Sequence, residues 1–233
     1  MALILCIETG TDICSVGIVR DGELVALRES DEGRDHAAKI AVFTSELLAE
    51  NGIRSDELDA VAIGKGPGSY TGLRIGVSFA KGLCYGLGIP LIAINSLESL
   101  ARVAIEDHEA GIVDVEGWDE AVLCPMVDAR RMEVYVQLFD TMAKPLNEVA
   151  AEIVDEQSFS AYRSTRPFVV FGNGAAKCCE VLGATYVSVL PSVRGMARLS
   201  EEAFQQGAFV DTAYFEPFYL KDFVVTTVRK PLF

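Results

Sequence analysis

The chain has 233 residues, half of them hydrophobic, and a formal net charge of −14 at pH 7. That length buries roughly 70% of the surface the unfolded chain exposes, in one large domain or two small lobes. A surface this acidic repels phosphate at long range and disfavours unaided nucleic-acid binding, which rests on Lys and Arg neutralising phosphates.

Residues 3–9 are an apolar run rich in Leu and Ile, a buried strand. Gly10-Thr11-Asp12 turns the chain, residues 14–20 alternate as a second strand, and Asp21-Gly22 leads into a third over 23–29. Three strands joined by turns, then alternating helices and strands, predict a mixed sheet of the ribonuclease H type. In actin-like ATPases this first hairpin clasps nucleotide phosphates, and an acid ending the first strand serves metal or water. Glu8, Thr9, Gly10 and Thr11 stand at that place. They read either as a phosphate clasp or as a hairpin that has lost its ligand, since Gly10 alone gives phosphates little backbone room.

Residues 35–50 form a helix stopped by Asn51-Gly52. Ile40, Phe43 and Leu47 make one apolar line; Ala38, Ala41, Val42, Ser45, Leu48 and Ala49 make another. A helix apolar on two faces is either wholly buried or shared between its own core and a partner.

A strand over 58–63 feeds a glycine-rich loop, Gly64-Lys65-Gly66-Pro67-Gly68-Ser69, which opens a helix over 71–87. The glycines allow backbone angles that side chains forbid, Pro67 stiffens the turn, and Ser69 or Thr71 caps the helix. No Lys-Ser or Lys-Thr follows the last glycine, so this is not a P-loop. Such a helix start suits an anion or a close partner; a plain strand-to-helix turn explains the same residues. Leu73, Val77, Ala80, Cys84 and Leu87 share one side of the helix. Gly72 and Gly76, then Gly82 and Gly86, fall four apart, a spacing that lets another helix come close. Each glycine weakens an isolated helix by about 0.8–1 kcal/mol relative to Ala, so this helix needs packing.

Residues 90–94 are a strand and Ser96 caps the next helix. The polar stretch 106–119, with Gly111 and Gly117, is a surface loop in which His108 is exposed. It divides the chain into lobes over 1–105 and 106–233, the tail packing back on the first. The second lobe opens with strands over 121–127 and 134–140 around Asp128-Ala129-Arg130-Arg131. A strand over 168–171 ends in Gly172-Asn173-Gly174-Ala175, where actin-like kinases contact adenosine and where a bare strand-to-helix turn is the other reading. Residues 200–206 are helical.

Little catalytic equipment is present. The two histidines, His36 and His108, lie outside any HxxxH or HExxH pattern and near no nucleophile elbow. No catalytic residue, metal ligand or cofactor is expected. The six cysteines form no CxxC pair and read as reduced, mostly buried thiols of a cytoplasmic protein. The run 73–94 carries Arg74, Lys81 and Pro90, so no membrane span is expected; residues 1–8 lack the basic region of a signal peptide. A mean hydropathy of +0.28 still exceeds what a soluble domain needs, which suggests an apolar surface meant for a partner.

Gly66-Pro67-Gly68-Ser69-Tyr70-Thr71-Gly72-Leu73-Arg74-Ile75-Gly76 closely resembles the signature of the bacterial TsaB (YeaZ) family. Asp128-Ala129-Arg130-Arg131-Met132-Glu133-Val134-Tyr135 resembles it too, as does Pro217-Phe218-Tyr219-Leu220-Lys221, with Lys where relatives carry Arg. The resemblance covers nearly the whole chain and is strongest over 3–99. It implies an α/β fold of the actin-like ATPase or ribonuclease H-like kind, two lobes each with a mixed sheet flanked by helices. It implies a non-catalytic relative of TsaD, whose helical HxxxH metal pair this chain lacks. The implied role is to pair with TsaD, and with the ATPase TsaE, in making threonylcarbamoyladenosine on the tRNA adenosine adjacent to the anticodon. The tRNA would be met only through that complex, and the chain alone would form a homodimer. Partner contacts are expected from His36, Ile40, Phe43 and Leu47 on the first helix and from Gly72, Leu73, Gly76, Val77, Ala80 and Cys84 on the second. Glu8, Thr9, Gly10 and Thr11 with Gly172, Asn173 and Gly174 would be a vestigial nucleotide site. The alternative is an actin-fold ATPase or phosphotransferase acting through Glu8 and the glycine turns. Relatives classed as M22 glycoprotease-like share a fold, and a fold does not carry chemistry.

Overall fold

Two five-stranded mixed sheets built to one plan organise the chain. The computed structural model describes residues 2–32 and 35–220. The first sheet holds β1 (Leu3–Glu8), β2 (Cys14–Arg20), β3 (Glu23–Ser30), β4 (Ala60–Gly64) and β5 (Leu91–Ile94), in the order β3-β2-β1-β4-β5. The β1–β2 and β2–β3 pairs are antiparallel, and β4 and β5 run parallel to β1. The second sheet holds β6 (Val122–Asp128), β7 (Glu133–Val136), β8 (Ala150–Ile153), β9 (Phe168–Phe171) and β10 (Thr185–Tyr186), in the order β10-β9-β6-β7-β8. Its pairings repeat those of the first, with β6 in the place of β1.

All six residues of β1 are buried, because both faces of the first sheet are covered. A strand covered on both faces reads as a continuous apolar run rather than an alternation. On one face lie α1 (His36–Glu50) and α2 (Tyr70–Leu87), side by side, with Ile40, Leu47, Val77 and Ala80 packed on Leu5, Ile7, Val16 and Ile63. The remaining helices are α3 (Ser96–Glu109), α4 (Ser160–Arg163), α5 (Cys179–Leu182) and α6 (Ala197–Gln205).

The two halves of the chain exchange helices. From the first half, α3 packs Leu97, Leu100 and Ala104 on Leu123, Val169 and Phe171 of the second sheet. From the second half, α6 packs Ala197 and Leu199 on the free face of the first sheet, against Ile4, Cys6 and Ile92. Because α3 carries apolar residues for that contact as far as Ile105, it runs on to Glu109, across the expected boundary at 105/106. His108 is not an exposed bystander. It stacks on Trp118 with ring centroids 4.1 Å apart, and its Nδ1 lies 2.9 Å from the Val113 carbonyl. After α6, Val210 bridges to Leu91 and the Phe218 N–H donates to the Lys65 carbonyl at 2.8 Å. Lys221 lies outside the described residues. Among the described residues no helix is long and apolar enough to cross a membrane.

Candidate functional site

The glycine loop between β4 and α2 is closed by its own chain. Ser69 is the cap of α2, its Oγ accepting from the Gly72 N–H at 3.4 Å. The Lys65 N–H donates to Ile94 O at 2.8 Å, and the Ser69 N–H to Gly10 O at 2.7 Å. Thr9 Oγ1 donates to Gly72 O at 2.9 Å. Glycine is required where the β1–β2 turn presses on this loop. A Cβ on Gly68 would stand 2.3 Å from Gly10 O, and one on Gly72 would stand 2.1 Å from Thr9 O. A Cβ on Gly76 would lie 2.2 Å from Thr9 Oγ1. The close approach made possible by Gly72 and Gly76 is therefore that of Thr9, not that of a partner helix.

Glu8 sits beneath the loop and is 1% exposed. Its Oε1 accepts from the Gly10 N–H and its Oε2 from the Ser96 hydroxyl, both at 2.7 Å. Burial raises its pKa, against the opposing hydrogen bonds from Ser96, Gly10 and Thr9 and the nearby His36. A Cβ on Gly64 would lie 2.1 Å from Oε2, so that face is sealed too. Ser96 Oγ also accepts from the Gly66 N–H at 3.2 Å, and His36 Nε2 lies 2.8 Å from Thr11 O. Ser96 is free for this because it is not the cap of α3. Asn95 is the cap, its Oδ1 accepting from the Leu97 N–H at 3.0 Å. The carboxylate thus takes up the amide of its own hairpin, and Ser96 ties it to the Gly66 amide of the glycine loop.

The Gly172-Asn173-Gly174 turn braces the other sheet. A Cβ on Gly172 would stand 2.4 Å from Met126 O, and the Gly174 N–H donates to that oxygen at 3.0 Å. Asn173 Oδ1 accepts from the Asp128 N–H at 3.0 Å, and Lys177 forms an ion pair with Asp128. The turn is thereby joined to the β6–β7 hairpin, a pairing of two motifs that lie far apart in sequence. It shares no bond with the Glu8 group among the described residues. Also among the described residues, no three His, Cys, Asp or Glu side chains converge to hold a metal ion.

The structure turns the expected partner residues of α1 and α2 inward. His36, Ile40, Leu47, Gly72, Leu73, Gly76, Val77, Ala80 and Cys84 are buried, and Phe43 is half-buried. The reason is area: bulky apolar side chains gain most from packing on the sheet. What faces outward on α1 is the small-residue line Ala38, Ala41, Val42, Ser45 and Ala49, flanked by Glu46 and Glu50, which pair with Arg28. On α2 it is Arg74, Ser78, Gly82, Tyr85 and Gly86; Gly82 and Gly86 have open space around them, and Tyr85 is 88% exposed. Beside this face, Lys81 Nζ donates to Ala213 O at 2.9 Å and Phe215 O at 3.1 Å, walling an open groove of about 540 Å³ under Tyr85.

Two lobes on one mixed-sheet plan, a β-hairpin at the start of each and a glycine turn after β4 and after β9 define an actin-like ATPase fold. Residues 30–161 match the family model described as TsaD: tRNA N6-adenosine threonylcarbamoyltransferase. The chain is 30% identical to the tRNA threonylcarbamoyladenosine biosynthesis protein TsaB of Haemophilus influenzae, over 94% of this chain and 93% of that protein. It is 29% identical to the Escherichia coli protein of the same name, over 94% of each. The crystal structure of an uncharacterized Pseudomonas aeruginosa protein with similarity to peptidase YeaZ superposes with a TM-score of 0.79 at 24% identity, covering 95% of this chain and all of that one. YeaZ from Pseudomonas aeruginosa superposes with a TM-score of 0.77 at 23% identity, over 94% of this chain and all of that one. The chain belongs to the TsaB (YeaZ) family.

Proposed function

We propose that this chain is a non-catalytic scaffold subunit in tRNA threonylcarbamoyladenosine biosynthesis, pairing with TsaD through the outer faces of α1 and α2 and working with the ATPase TsaE. The observation that carries the reading is the uncovered face of two adjacent helices, rich in Ala, Ser, Gly and Val, with Tyr85 toward one end of α2 and Arg74 toward the other. Small residues let a second pair of helices approach closely, and an exposed aromatic supplies an anchor. The matched region 30–161 contains α1 and α2, so a TsaD chain would carry helices of the same kind. Like would then pack on like around a pseudo-twofold axis, and without TsaD the same face would pair two copies of this chain.

Two further features support a role without catalysis of its own. Glu8 is buried and bonded to its own hairpin and to Ser96, and Gly68 and Gly72 press directly on the backbone of Gly10 and Thr9 in that hairpin. With the −14 charge, this leaves the metal, the carbamoyl donor and most of the tRNA contact to the partners. Size-exclusion chromatography with light scattering tests the pairing, on the chain alone and mixed with the TsaD of the same cell. A one-to-one complex replacing a homodimer is expected; two folded proteins that elute separately overturn the reading.

A further inference from the structure

Arg130 and Arg131 form the tip of the β6–β7 hairpin, and both have left-handed backbones, with φ of 75° and 52°. Glycine takes this conformation without cost and asparagine at little cost; a long side chain is strained there. In most folds such strain is offset by what the side chain touches. Here both residues are exposed, and neither guanidinium meets an acceptor among the described residues. The other charges around the tip are already engaged. Lys177 pairs with Asp128 and donates to the Glu133 carbonyl at 2.8 Å, while the Asp128 N–H is held by Asn173. Two adjacent, uncompensated cations therefore stand on a braced tip of a strongly acidic chain. The strained tip is held by its own hairpin, the Arg130 N–H donating to Asp128 Oδ1 at 3.2 Å and the Glu133 N–H to Arg130 O at 3.1 Å, so both exposed guanidinium groups are carried on a fixed frame and are left for another molecule.

We propose that Arg130 and Arg131 contact the phosphate backbone of the RNA substrate, an inference that rests on the role in tRNA modification given above. The planar guanidinium fork matches phosphate oxygens two at a time. An acidic protein surface would use the same fork, but it would have to dock against the acids of the rest of this chain. An RNA strand held by other subunits approaches only at the tip, and repulsion from charges more than about 8 Å away is screened at physiological salt.

The test is the double variant Arg130→Asn/Arg131→Gly, alone and in the complex reconstituted with TsaD, TsaE and unmodified tRNA. The isolated variant should melt at a higher temperature than the wild type, because the strain is relieved. The complex should assemble normally without tRNA, and the slope of log K against log salt for tRNA should shrink by about 1.4–1.8, two phosphate contacts. An unchanged slope overturns the inference. So does a lower melting temperature, or a variant that fails to assemble in the absence of tRNA, which would make the tip a protein contact. A wild-type chain that does not assemble overturns the scaffold reading itself, and this inference with it.

Discussion

Gly68 and Gly10 meet backbone to backbone: the Ser69 N–H donates to Gly10 O at 2.7 Å, and a Cβ on Gly68 would stand 2.3 Å from that same oxygen. No rotamer relieves a Cβ-to-carbonyl clash, so Gly68→Ala must displace the loop or the hairpin. Overpacking of this kind costs about 1–3 kcal/mol, which lowers the melting temperature by about 2–4 °C per kcal/mol in a chain of this size. Gly82→Ala is the control, since nothing lies within 4 Å of its Cβ position; it should stabilise by up to about 0.8–1 kcal/mol through helix propensity. Equal melting temperatures for the two variants would mean that the loop does not bear on the hairpin.

Glu8 should make stability depend on pH. Burial raises its folded pKa above the unfolded value, so the folded state holds the proton more tightly. Its contribution is fully present below the unfolded pKa and is lost as pH rises through the raised folded pKa. Glu8→Gln keeps an acceptor for the Gly10 N–H and offers an amide hydrogen to Ser96 Oγ, as the protonated acid would. The Gln variant should therefore match or exceed the wild type at alkaline pH and lose this part of the pH slope. Glu8→Ala leaves the Gly10 N–H and Ser96 hydroxyl without their acceptor in a sealed site, a cost of about 1–3 kcal/mol before any cavity is counted. Urea denaturation across pH decides it: a Gln variant that titrates like the wild type removes Glu8 as the source.

Asn95 does two jobs that substitutions can separate. Its Oδ1 caps α3 and its Nδ2 donates to Gln137 Oε1 at 2.8 Å, a link from the first lobe to the second. Asn95→Ala should cost about 1 kcal/mol for the cap alone. Asn95→Asp keeps the cap and turns a carboxylate oxygen toward Gln137 Oε1, so its loss reports on the link between the lobes. If both variants melt with the wild type, neither bond contributes to stability.

Much of the fold was legible because its signals are local. The unbroken apolar run of β1, the Asp21-Gly22 hairpin turn and the Ser69 cap are each fixed by a few neighbouring residues. The two apolar lines of α1 were legible as well, but periodicity alone does not say which line meets the sheet. Side-chain bulk does, since Ile40 and Leu47 bury more area than Ala38 and Ala41. Gly72 and Gly76 signalled a close approach without naming the approaching group, because Thr9 lies more than sixty residues earlier in the chain. The cap of α3 had a readable signal, an asparagine directly before Ser96. The exchange of α3 and α6 between the sheets left no local trace: each helix has an ordinary buried stripe, and only the assembled sheets determine which one it covers.

The outer face of α1 and α2 can be tested without disturbing the core, provided the substitutions are placed on it. Ala80 is fully buried, so Ala80→Arg would bury an unpaired charge and unfold the chain whatever the interface does; half-buried Phe43 is little better. Ala41 and Gly82 face outward on neighbouring helices. Ala41→Arg should change the stability of the monomer by no more than about 0.5 kcal/mol, as exposed substitutions do, and Gly82→Arg should raise it slightly through helix propensity. Each arginine would nevertheless stand where a second helix has to come close, so each should abolish the complex with TsaD and the homodimer together, read by light scattering beside an unchanged melting curve. Loss of the homodimer alone would assign this face to self-association and place the TsaD contact elsewhere on the chain. Retention of both complexes in both variants would take the interface off these helices altogether.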